Sequence, residues 1–178
     1  EFLAIDHSVP NGGYYCKIIG ETKLSINDIA KIKEKMIEYV QKDLPITREK
    51  VSLENAISYF QDKSYDDKLR LLKYRKKDYL ILYKLEYHKD YHHGYMVPST
   101  GYLKIFDILP RGDGFILQYP RRKTPQTLFP MPKYNKLIDI FRQYGSWLES
   151  LDIDSVAALN DAVIAGSIPE VILVSEAL

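Results

Sequence analysis

Four residues near the middle of the chain, His88, Asp90, His92 and His93, are of the types that could hold a metal ion or move a proton. Imidazole and carboxylate are common zinc ligands, but a site needs several of them convergent and supported by a second layer of hydrogen bonds. His88 and His92 stand four apart, a spacing that points one way only on a helix. The run before them, residues 79–87, reads as a strand, so the histidines leave a strand and enter a loop. A polar strand end is the plainer expectation, and no metal site is assigned. Nucleophiles are equally scarce. Cys16 is the single cysteine; it has no base beside it in sequence and reads as a small core or strand residue. No G-x-x-x-x-G-K-[ST] phosphate loop exists, because none of the nine glycines is followed by lysine. Phosphoryl transfer in that form has no place between residues 1 and 178. Arg111-Gly112-Asp113 reads as a hairpin turn. No catalytic residue is assigned.

Two basic clusters could grip an anionic chain. Lys73, Arg75, Lys76 and Lys77 interleave with Tyr74 and Tyr79, a pattern that suits a nucleic-acid backbone. Arg121, Arg122 and Lys123 form the second. Lys and Arg number 25 against 24 Asp and Glu, a net charge of +1. That balance supplies no global field toward nucleic acid or a membrane. A solvated face is therefore the commoner explanation of the first cluster, and nucleic acid is not the expected partner.

The elements that must position these residues follow from periodicity. Residues 2–19 read as two strands joined at Asn11-Gly12-Gly13. Ser25 caps a helix whose Ile29, Ile32, Lys33, Met36, Ile37 and Val40 keep the 3–4 spacing of a core-facing stripe. Ser52 starts a second helix with Leu53, Ala56, Ile57 and Phe60 on one face, and residues 65–72 predict a third. Residues 79–87, 102–109 and 115–119 read as strands of one largely antiparallel sheet. A Pro-rich connector spans 120–132. Helices are predicted over 134–151 and 155–165, the latter capped by Asp154 or Ser155 and ended by Gly166. Ser167, Pro169 and Glu170 read as the start of another helix, with Val171, Ile172, Val174 and Leu178 on its face. The opening apolar run 1–5 and this late helix start lead to the expectation of a fragment of a longer polypeptide. The fold class is α+β, divided at 1–120 and 121–178. The lone cysteine predicts a reducing, cytoplasmic setting, and no apolar run reaches the ~20 residues that span a bilayer.

Short motifs carry a family resemblance. Asn11-Gly12-Gly13-Tyr14-Tyr15 resembles the Gly-Phe-Tyr-Tyr segment of threonyl-tRNA synthetases, and 25–51, with Met36 and Leu44-Pro45-Ile46, is similar to the helix that follows it there. Residues 91–101 resemble the metal-binding loop of the second additional domain of threonyl- and alanyl-tRNA synthetases. That loop sets a cysteine, three residues and a histidine before a Val-Pro-x-Thr run. His92 stands where the cysteine would be and Met96 where the histidine would be. The resemblance implies an editing-domain-like antiparallel sheet with helices, here followed by a C-terminal helical connector. It also implies that the editing chemistry is lost, because the early His-x-x-x-His pair is missing too. His92, His93, Tyr95, Met96 and Thr100 remain candidates for a pocket. Tyr95, Met96 and Val97 are expected to pack on the sheet or wall a shallow pocket.

The runs Gly94 through Tyr102, Leu109 through Phe115, Gln118-Tyr119-Pro120 and Ile168-Pro169-Glu170-Val171 resemble a second group, the bacterial uridine-kinase-type proteins. In those, a synthetase-like region precedes a phosphoribulokinase/uridine kinase domain. That resemblance implies a non-catalytic accessory or regulatory module. Its partner would be a C-terminal nucleoside kinase domain of the same polypeptide, which would use ATP and Mg outside this chain. The alternative is a divergent aminoacyl-tRNA editing deacylase or tRNA-binding module. A third reading is a dimerisation module, a homo-oligomer built on the C-terminal helices.

Overall fold

A computed structural model describes residues 2–20, 23–131, 135–153 and 155–177. Glu1, Pro132, Tyr134, Asp154 and Leu178, named in the sequence expectations, lie outside the described residues. The fold is α+β with antiparallel sheets. A four-stranded sheet runs in the order β1 (Phe2–Val9), β2 (Gly13–Ile19), β7 (Gly114–Gln118), β6 (Asp107–Arg111). Every pairing in it is antiparallel. A second sheet has the order β3 (Ile46–Ser52), β4 (Tyr79–Leu85), β5 (His88–Tyr91).

The first helix, α1 (Ile26–Lys42), begins with the capping box that its sequence announces. Ser25 Oγ accepts the Asp28 amide, and the Asp28 carboxylate accepts the Ser25 amide. Its apolar stripe packs on the four-stranded sheet. Cys16, Ile29, Ile108 and Phe115 form the buried cluster, with Ile32 and Met36 against it. Cys16 is 2% exposed, and burial pushes its thiol pKa up, which suits a core residue. Gly114 is required at the β6–β7 turn: a Cβ there would stand 2.1 Å from the Cys16 carbonyl oxygen.

Ser52 accepts the Asn55 amide and caps α2 (Leu53–Asp62), which α3 (Asp66–Leu72) follows. Phe60 of α2 is fully buried. The later helices are α4 (Asn135–Ser150), α5 (Val156–Ala165) and α6 (Ile168–Ala177). Ser155 caps α5, and Gly166 ends it at a φ of +79°.

Three expectations are corrected. Residues 46–52 form strand β3, although four consecutive exposed polar residues hide the pattern. Residues 102–106 are not a strand; a 3-10 turn, Thr100–Tyr102, leads into an irregular run that reaches β6. The strands of 79–119 do not share one sheet, because β4 and β5 pair with each other while β6 and β7 join β1 and β2. Two compact units emerge: Glu1–Glu49 with Leu82–Pro132, and Lys50–Ile81 with Lys133–Leu178. Each is assembled from two separated stretches of chain. Among the described residues no helix is long and apolar enough to cross a membrane.

Candidate functional site

The loop 94–101 is pinned at both ends. At its start, Tyr83 Oη donates to the Gly94 carbonyl at 2.9 Å. At its close, the Ile46 amide donates to the Pro98 carbonyl at 2.8 Å and the Thr100 amide to the Leu44 carbonyl at 2.9 Å. Thr100 is 4% exposed. Its hydroxyl accepts the Leu44 amide at 2.8 Å and donates to the Tyr39 carbonyl. Asp43, left-handed at a φ of 49° just past α1, completes the clamp. Its Oδ1 accepts both Ser99 Oγ and the Gly101 amide, the latter at 2.9 Å. Nothing in the sequence flagged Asp43, since its partners lie 56 and 58 residues away.

Beyond the clamp lies a cavity of about 750 Å³, in the range of small-molecule sites. Its walls come from Met36, Tyr39 and Val40 of α1, from Thr100, from the irregular run 102–106, and from the end of β7 with the start of the connector. The walls are mainly apolar, with Lys104 and Gln126 among the polar groups. Tyr119 also lines it; burial, then a hydrogen bond with Tyr14, pushes its phenol up to about 12.

Of the sequence candidates, Thr100 lines this cavity. Tyr95 does not pack on the sheet: it is 88% exposed, with the Arg48 guanidinium 5.7 Å from its ring centre. Met96 is 41% exposed. His92 and His93 are both exposed. The His92 ring sits edge-on to Tyr83 at 6.3 Å, and His93 edge-on to Tyr91 at 5.7 Å. His88 opens β5 opposite Leu85, and the Asp90 carboxylate accepts the Tyr91 amide. The His92 and His93 imidazoles therefore lie against separate aromatic neighbours. Among the described residues no three His, Cys, Asp or Glu side chains converge on a point that could hold a metal ion. Zinc prefers nitrogen, thiolate and carboxylate, and Met96, where the synthetase resemblance implies a histidine, offers only a thioether. The residues present do not fit the metal that the synthetase resemblance implies.

The basic cluster is better organised than its sequence suggested. Arg75 Nε donates to the Tyr79 carbonyl at 2.8 Å. The Tyr79 ring has Lys50 at 4.1 Å, Lys77 at 5.7 Å and the Arg75 guanidinium at 6.0 Å. Lys73 ends α3 and acts electrostatically on Asp161, whose carboxyl is held below its usual range by hydrogen bonds from Tyr74 and Arg70. Lys76 is exposed. Sequence spacing could not reveal Lys50, which enters from β3.

No protein-family profile matches the chain. It is similar to the threonine–tRNA ligase of Thermotoga neapolitana, 34% identical over 107 residues, 60% of this chain and 16% of that protein. The threonine–tRNA ligase of Carboxydothermus hydrogenoformans is 33% identical over 140 residues, 77% of this chain and 22% of that protein. That of Streptococcus agalactiae serotype Ia is 31% identical over 107 residues. The chain thus spans between 16% and 22% of the length of these ligases. The α+β fold with antiparallel sheets agrees with the editing-domain-like architecture expected from the synthetase-like motifs.

Proposed function

We propose that the chain is a tRNA-binding module of synthetase type that holds RNA without metal-dependent deacylation. The observation that carries this reading is the similarity to threonine–tRNA ligases over 107 to 140 residues. The site geometry supports it. The clamped loop 98–101 gives the cavity a fixed wall, and about 750 Å³ accommodates a planar group the size of a nucleoside. His92 and Met96 in place of a cysteine and histidine argue against hydrolysis through a bound metal. The kinase-linked expectation draws no support from the similarity to threonine–tRNA ligases.

The test is a titration of fluorescently labelled tRNA with the purified chain, paired with a hydrolysis assay on mischarged aminoacyl-tRNA with and without added zinc. Saturable binding and no hydrolysis above the uncatalysed rate are expected. Absence of binding, or zinc-dependent deacylation, would overturn the proposal.

A further inference from the structure

Several cations elsewhere on this protein are ion-paired. Lys17 meets Asp6 at 2.6 Å, Lys33 meets Asp107 at 2.6 Å, Lys42 meets Glu38 at 2.6 Å and Lys89 meets Glu49 at 2.9 Å. The group around Tyr79 is different. Lys50, Lys76 and Lys77 have no ion-pair partner among the described residues, although Lys50 and Lys77 crowd one ring with Arg75. The face of a tyrosine attracts cations but does not neutralise them. Like charges gathered without an ion-pair partner leave a local positive potential that a near-neutral total charge conceals. The arrangement is also ordered: Arg75 is tied to the Tyr79 backbone, and Lys50 and Tyr79 sit on β3 and β4, adjacent strands of one sheet.

We infer that Lys50 and Lys77, set around Tyr79, form a contact surface for the phosphodiester backbone of RNA. This rests on the reading of the chain as a tRNA-binding module. That reading favours RNA over an acidic peptide as the polyanion. Because phosphate contacts carry no sequence information, the surface would add affinity and register without base specificity. Each lysine that neutralises a phosphate releases a counterion, which makes its contribution readable from salt dependence.

The experiment is filter binding of tRNA to the whole chain between about 50 and 200 mM salt, a range over which phosphate contacts dominate the change in affinity. It compares the wild type, the double variant Lys50→Gln/Lys77→Gln, and a control of equal charge change, Lys23→Gln/Lys31→Gln. All four residues are exposed, and circular dichroism checks the fold. Arg75 is left intact because it holds the Tyr79 backbone. The slope of log K against log salt should fall by about 2 in the first variant, about one unit per lost phosphate contact, with little change in the control. An unchanged slope in the first variant, with wild-type binding intact, would overturn this inference alone. An equal fall in both variants would reduce the effect to net charge and overturn it too. Competition by a polyglutamate peptide as effective as tRNA at matched charge would overturn the assignment to RNA. Wild-type chain that does not bind tRNA would instead defeat the underlying reading.

Discussion

Asp43 and Gly101 are joined at van der Waals limits: Asp43 Oδ1 accepts the Gly101 amide at 2.9 Å, and a Cβ on Gly101 would stand 2.2 Å from that same oxygen. Gly101→Ala therefore displaces the Asp43 carboxylate and breaks its bonds to Gly101 and Ser99 together. A loss of about 2 kcal/mol is expected from two disrupted hydrogen bonds, read as a lower denaturant midpoint. An unchanged midpoint would show that the clamp contributes nothing.

Thr100→Val keeps the shape and removes the hydroxyl. It leaves the part-buried Leu44 amide without an acceptor and the Tyr39 carbonyl without this donor. The predicted cost is about 1 kcal/mol, the lower end of the range for an unsatisfied buried group, because the Leu44 amide is part-buried. Thr100→Ser, which restores the hydroxyl, should recover most of it. Equal stability of Val and Ser variants would remove the hydroxyl from the account.

Strands β1, β2 and β7 and the helix caps at Ser25 and Ser52 formed as the sequence announced, and the reasons are local. Ser25 with Asp28, Ser52 before Leu53, and Asn11-Gly12-Gly13 act within a few residues of themselves. The misses come from signals that are not local. Strand β3 shows only Ile46 and Val51 as apolar markers around Thr47, Arg48, Glu49 and Lys50, so alternation is masked. The β4–β5 hairpin turns at Glu86, left-handed at a φ of 52° without the usual Gly or Asn. Residues 102–106 have strand-like composition but wall a cavity. For the candidate site, Thr100 was legible from its motif, whereas Asp43 and Lys50 were not. Their partners are distant in sequence and become neighbours only through the fold.

Tyr119 gives a titration test. Burial first, and the Tyr14 hydrogen bond second, raise its pKa to about 12. The raised pKa means the folded state holds the phenol proton more tightly than the unfolded chain does. This contribution to stability is fully present below the unfolded tyrosine value of about 10, and is lost as pH rises toward the folded value. Ultraviolet titration of the wild type should contain a tyrosine that ionises near 12, which Tyr14→Phe moves downward. A Tyr14→Phe titration that superimposes on the wild type would contradict the assigned cause.

Metal content tests the loop. With His92 and His93 exposed against separate aromatic rings and Met96 in the ligand position, purified chain should contain well under one zinc per molecule by elemental analysis. About one zinc per chain, lost on His92→Ala, would reverse that conclusion.

The central claim is that this chain binds tRNA, and equilibrium titration at two salt concentrations tests it most directly. The account predicts saturable binding that weakens severalfold or more between about 50 and 200 mM salt, as displaced counterions require. No saturable binding at either salt concentration would contradict it.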